Sequence, residues 1–181
     1  MAESRDVSER FTGGGVTAEC DRAIRIASLR YFDATRGGST VAAALGCGLP
    51  AAGRLERQAL PGSAEPFAML WRSPTETWVL AGTQAPLEAL RRSLGTAGET
   101  WLVDQSGGLL GIHLAGSRAL GVLQRLGSSL SIPRVGEART GRFADVVVTT
   151  AGWRTDEYLL LVERVYAEHL LEWIRETLAD L

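Results

Sequence analysis

Two histidines, two cysteines and no lysine bound the chemistry open to this chain. All 19 basic residues are arginine, which excludes Schiff-base catalysis and cofactor attachment through lysine. His113 lies in "GLLGIHLAG", on the strand face opposite Ile112 and Leu114. A general base there needs a partner, and neither Asp104 nor Ser106 stands at a diagnostic spacing, so an interface or solvent histidine is expected. His169, beside Glu168, Glu172 and Glu176, belongs to a solvated helix face. Cys20 and Cys47 are expected as free thiols. Scattered with the histidines from residue 20 to 169, they match no metal-ligand spacing. The glycine-rich pieces "RGGST" and "SGGLLG" fit neither the phosphate-binding loop nor the dinucleotide fingerprint.

Arginines and tryptophans remain. The stretch 134–154 carries Arg134, Arg139, Arg142 and Arg154 against only Glu137 and Asp145. It suits an anionic ligand, such as a carboxylate or folate tail, or a docked protein, and spacing does not choose between them. Trp71, Trp78, Trp101, Trp153 and Trp173 fall in hairpins, strand starts and helices, which favours core and interface packing over ligand stacking. Trp153 and Arg154 sit at a hairpin tip where folding hardly requires a tryptophan. The expected partner interface is therefore Arg134, Arg139, Arg142, Trp153 and Arg154, interfaces being rich in Trp and Arg. The alternative is that Trp153 folds back onto its own hairpin.

The elements that position these residues come in two similar series. Residues 1–20 are polar, lack periodicity and are expected to form a mobile tail. From residue 22, a strand (22–32) leads to a short helix (37–46) capped by Ser39 or Thr40, then a Gly/Pro/Ala-rich loop (48–66). A hairpin (67–82) and a helix (83–94) capped by Thr83, with Pro86 in its first turn, complete the series. The second series has a strand pair or one bulged strand in 101–116, broken at Gly107-Gly108. A helix (117–127) capped by Ser117, a loop (128–140), a hairpin (143–162) and a closing helix from Val165 to Leu178 follow. "TETW" (75–78) answers "TDEY" (155–158), and "GSTVAAAL" (38–45) answers "GSRALGVL" (116–123). The spacing predicts an internal duplication: an α+β chain of two tandem ferredoxin-like β-α-β-β-α repeats with a pseudo-twofold relation, at 22–97 and 101–181. Helices on one face of each small sheet require the other face to be buried on the sister repeat or on another protein.

Bulk properties narrow the classes further. At 181 residues with 45% hydrophobic content the chain is one domain or two small lobes. A net charge of −2 argues against nucleic-acid binding. No run approaches the ~20 apolar residues needed to span a bilayer. "MAESRDVSERFTGGG" lacks a signal-peptide core, so a cytoplasmic protein without membrane contact is expected.

Two segments, "DQSGGLLGIHLAGSRALGVLQRLGSSLSI" and "GEARTGRFADVVVTTAGWRTDEYLLLVERVYAEHLLEWI", together with "WVLAG", resemble the gamma subunit of bacterial heterotetrameric sarcosine oxidase. The similarity runs from about residue 40 to 180. It implies the fold of the folate-binding region of glycine-cleavage aminomethyltransferases. Those enzymes engage folate through a Gly-Gly-x-x-Asp-Asp segment; here "TGRFADVVV" has Asp145 alone and no Gly-Gly turn. The resemblance thus implies a non-catalytic gamma-like subunit, binding no cofactor itself and supporting a larger, alpha-like, folate-binding chain. In such complexes FAD, FMN and NAD fall to the larger subunits and zinc to the small delta subunit, with tetrahydrofolate as one-carbon acceptor. Two other readings stay open: a stand-alone folate-dependent aminomethyltransferase or small-molecule binder of the same superfamily, and a ferredoxin-like regulatory module binding its ligand between the repeats.

Overall fold

The computed structural model describes residues 9–32, 34–46, 48–59, 65–95 and 100–181, without the side chains of 34–37. In chain order the elements are β1 (Arg10–Gly13), β2 (Val16–Asp21), β3 (Arg25–Tyr31), α1 (Ala34–Leu45), β4 (Leu55–Ala59), β5 (Pro66–Ser73), β6 (Glu76–Ala81) and α2 (Ala85–Leu94). There follow β7 (Thr100–Asp104), β8 (Leu109–Ala115), α3 (Ala119–Leu126), a single 3-10 turn (Ser129–Ser131), β9 (Ala138–Phe143), β10 (Val146–Arg154), β11 (Glu157–Glu163) and α4 (Arg164–Ala179). The chain is α+β, with two antiparallel sheets ordered β1-β2-β8-β11-β10-β9 and β4-β5-β6-β3-β7.

These sheets belong to two compact units. The six-stranded unit takes Met1–Arg22 (described from residue 9), Leu109–Val135 and Arg139–Leu181. The five-stranded unit takes Ala23–Gly108 and Gly136–Ala138. Division near residue 100 into consecutive repeats is therefore corrected at both ends. From Arg10 onward the supposed tail is a hairpin. Val16, Ala18 and Cys20 alternate with Thr17, Glu19 and Asp21, and the first three are buried in the six-stranded core. The Gly14-Gly15 turn has φ of +55° and +79°, the two-residue geometry that matches strand twist and that glycine adopts without strain. At the other boundary, β7 pairs with β3, while β8 lies between β2 and β11. The Gly107-Gly108 break thus separates strands of different sheets.

Within each unit one sheet face packs on helices. In the five-stranded unit Leu29, Met69 and Val79 meet Val41 and Leu45 of α1 and Leu87 and Leu90 of α2. In the six-stranded unit Ile112, Leu114 and Leu160 meet Leu123 of α3 and Leu170 and Ile174 of α4. The α4 stripe follows the expected 3.6-residue period and buries Ala167, Leu170, Leu171, Ile174 and Leu178. Residues of the opposite sheet faces, including Ile26, Leu70 and Leu80 in one and Leu159 and Leu161 in the other, are buried as well.

Helix starts differ from expectation. α1 begins at Ala34, so Ser39 and Thr40 lie inside it rather than capping it. At α2 and α3 the caps are Gln84 and Arg118, neither with a side-chain cap bond. Thr83 instead donates its hydroxyl to Glu65. Two stretches expected as loop contain strands: β4 in 48–66, and part of β9 in 128–140.

A candidate interface cleft

Gly152 shapes the region where the candidate arginines meet. Gly152 pairs with Tyr158 and Arg154 with Glu157, leaving Trp153 as the extra residue of a bulge. Val135 forms an isolated parallel bridge with Gly152. The backbones come so close that a Cβ on Gly152 would stand 2.1 Å from the Arg134 carbonyl oxygen. Ser128 steadies the start of the incoming loop by accepting a hydrogen bond from the Leu130 amide at 3.3 Å.

A cleft of about 340 Å³ opens between α3, this loop and the hairpin tip. Leu120, Ile132, Pro133, Val135 and Tyr158 supply its apolar wall, and Arg134, Arg154 and Asp156 its charges. Burial, and then the Asp156 carboxylate, push the Tyr158 phenol up, so it keeps its proton at neutral pH. Arg154 lies 3.9 Å from Glu157, an exposed pair of small energetic value. The chemistry suits an apolar group carried beside a carboxylate.

The five interface candidates do not form one patch. Arg134 and Arg154 share the cleft. Arg139 turns to the loop and donates to the Leu130 carbonyl at 2.9 Å. Arg142 donates to the Asp145 carbonyl at 2.6 Å. Trp153 meets His113 edge-on, with ring centroids 6.4 Å apart, so it folds back past its own hairpin onto β8.

His113 also has the partner that local spacing did not reveal. Its Nε2 lies 3.3 Å from Asp21 Oδ2. The β2–β8 register sets Glu19 opposite His113 and Asp21 opposite Gly111. Ninety-odd residues of separation hide such a pair from any local motif. His169, exposed as expected, meets the Ala144 carbonyl at 3.0 Å through Nε2. Cys20 is a buried free thiol on the core side of β2, and burial is the main cause of its raised pKa. Cys47 lies outside the described residues.

A second polar cluster lies in the five-stranded unit. Glu76 Oε1 accepts from the Ser28 hydroxyl at 2.5 Å and the Trp78 indole at 3.2 Å, with Arg30 at 3.7 Å. Arg72 stacks over the Trp78 ring at 5.0 Å. The contacts converge on this one carboxylate oxygen, which reads as a structural tie. Of the tryptophans, Trp78 is buried while Trp101 and Trp173 are exposed. No group of three or more His, Cys, Asp or Glu able to hold a metal occurs among the described residues. No helix among them is long and apolar enough to cross a membrane.

The hairpin β9–β10 turns on two residues, Ala144 and Asp145, with φ of +47° and +63°. Asp145 is exposed, and so tight a turn presents one carboxylate. A solved structure of heterotetrameric sarcosine oxidase from Corynebacterium sp. U-96, in complex with pyrrole 2-carboxylate, contains a chain matched across 93% of this one and 87% of that one. The identity is 25% and the TM-score 0.78. This chain resembles heterotetrameric sarcosine oxidase. The sarcosine-oxidase-like fold extends to the glycine cleavage system aminomethyltransferase T of Bartonella henselae, at a TM-score of 0.73 and 15% identity. That match covers 90% of this chain but only 46% of the transferase chain, and it shows the fold alone. No family model matches the chain, and no curated protein matches it in sequence.

Proposed function

We propose that this chain is a non-catalytic, gamma-like subunit of a heterotetrameric, flavin-dependent oxidase of sarcosine or a related N-methyl amino acid. The observation that carries the reading is the match to a sarcosine oxidase chain across most of both lengths, against less than half of the aminomethyltransferase. The two-residue turn at Ala144-Asp145 supports it, because a single exposed carboxylate replaces the paired acids that the resemblance associates with folate. On this reading FAD, FMN and NAD belong to partner chains, tetrahydrofolate is the complex's one-carbon acceptor, and the assembly works in the cytoplasm. An alpha-like large subunit is the partner. The docking surface is the cleft bearing Arg134 and Arg154, with Arg139, Arg142 and Trp153, which lie outside the cleft, as further contact residues.

The two units are read as a duplicated ferredoxin-like repeat. Five strands of one sheet, β2-β8-β11-β10-β9, answer in order to β7-β3-β6-β5-β4 of the other, with β1 unmatched, and each hairpin carries the same bulge just before its turn, at Trp71/Ser73 and at Gly152/Arg154. Capture experiments test the function. Wild-type chain should retain a flavin-bearing large subunit from extracts of its host, identified by mass spectrometry and flavin absorbance. Arg134→Glu with Arg154→Glu should weaken that capture at least tenfold without altering the melting temperature. Trp153→Ala should cost about 2 kcal/mol of binding if that ring is a hot spot. Capture of no flavoprotein by the wild type defeats the proposal. The second reading, a folate-dependent transferase or small-molecule binder, rests on the shared aminomethyltransferase fold; micromolar folate binding by calorimetry would favour it.

A further inference from the structure

Three of the four sheet edges carry arginine. β1 has Arg10, β4 has Arg57 beside Glu56, and β9 has Arg139 and Arg142. Charged residues of this kind keep exposed strand edges from pairing with other chains. β7, "TWLVD", has no basic residue and no proline. It ends its sheet, and among the described residues no strand pairs with its outer side. Trp101 and Val103 are 55% and 42% exposed on one face of it. Its counterpart β2 has the same outer side covered by β1.

The hydrogen-bond phase of β7 is known. Gln105 donates to the Ile26 carbonyl at 2.8 Å, and the β3 register pairs Ser28 with Val103 and Arg30 with Trp101. Alternation in an antiparallel ladder therefore turns the backbone groups of Val103 and Trp101 toward β3 and those of Leu102 outward.

We propose that β7 pairs antiparallel with β7 of a second copy of this chain, about a twofold axis at Leu102. That register puts Leu102 opposite Leu102 with outward backbone groups in the right phase. It sets Trp101 against Val103 of the other copy twice over. Aromatic against β-branched side chains is a favourable cross-strand pair, and the non-hydrogen-bonded site brings the two closest. Asp104 falls opposite Thr100, so no like charges face each other. The strand is self-complementary, as an isologous contact requires. Five residues a side make less than a standard interface, so the dimer forms with rising concentration.

Sedimentation equilibrium of the full chain, from about 1 to 200 µM, should show the mass climbing from one chain toward two. Val103→Lys, which sets a charge against Trp101 of the other copy, should shift the dissociation constant upward at least tenfold with an unchanged melting temperature. In a Cys47→Ser background, Trp101→Cys with Val103→Cys should oxidise to a covalent dimer, and either cysteine substitution alone should not. A chain that stays monomeric throughout, or a dimer indifferent to Val103→Lys, overturns the proposal. So does a double-cysteine variant that never crosslinks. None of these outcomes bears on whether a flavoprotein is captured.

Discussion

β2 and β7 hold the same place in their sheets, each beside the strand that leads into its unit's first helix, β8 and β3 respectively. They reach it by different routes. β7 follows α2 in the same unit, whereas β2 comes with β1 ahead of the whole five-stranded unit and joins elements that lie beyond residue 108. Their environments differ accordingly. β2 is an interior strand whose Val16, Ala18 and Cys20 are buried in the core. β7 is an edge, with only Leu102 packed against the helix-side cluster. One topological position can thus be a core strand or a docking edge. Whether a sixth strand covers it makes the difference.

Removal of residues 1–22 breaks the comparison at its strongest point. The six-stranded unit then loses its β1–β2 hairpin and exposes an edge of β8, where Ile112 and Leu114 are fully buried. Burial of Val16, Ala18 and Cys20 alone contributes roughly 3 kcal/mol or more. Hydrogen exchange should show protection lost through β8 and β11 but kept in β3, β5 and β6. Protection retained in β8 would mean that β2 is dispensable.

The hairpins offer a finer contrast. Both bulge one residue before the turn, but the residue before the bulge is Trp71 in one and Gly152 in the other. At Gly152 the Arg134 carbonyl presses so close that a Cβ would clash, whereas the Trp71 amide donates to the Arg54 carbonyl at 3.0 Å. Gly152→Ala should cost about 2 kcal/mol by overpacking, a fall of roughly 4–8 °C in melting temperature for a chain of this size. An unchanged melting curve would show that the loop yields freely and that the cleft is not a fixed shape.

How much of this was legible in the sequence follows from the strength of each local pattern. The hairpins β5–β6 and β10–β11 are long apolar runs, and α4 repeats leucine and isoleucine at helical spacing, so all three stood out. β2 did not, because alanine and cysteine carry its buried face and small side chains give a faint alternation. β4, "LERQA", buries one residue in five and resembles a loop. The interface residues were legible by type but not by place. Arg134 and Arg154 share a cleft through a contact at Gly152, eighteen residues from one and two from the other, and set by a bulge that residue type does not announce. Asp21 reaches His113 only through the β2–β8 register, and that register depended on a strand hidden by its small residues.

The smallest expected effect concerns what holds β7 at its edge without a neighbour. The Ser106 amide donates to Asp104 Oδ1 at 2.8 Å, and the Ser106 hydroxyl accepts from the Ile26 amide at 3.0 Å, tying the strand's end to β3. Hydrogen bonding from the Ser106 side chain, then from its backbone, holds the Asp104 carboxyl below its ordinary range, with burial opposing and Arg25 and Arg91 helping. A depressed folded pKa means that the tie stabilises the fold above the unfolded value of about 3.9. The contribution is lost as the pH falls through the lower folded value. Asp104 is exposed, so solvent screening keeps the gain small. Asp104→Asn should therefore melt slightly below the wild type at neutral pH, and the gap should narrow as the pH drops below the folded pKa. A gap that stays constant from neutral to acid pH would show that the amide replaces the carboxylate as acceptor and that charge plays no part in holding the edge.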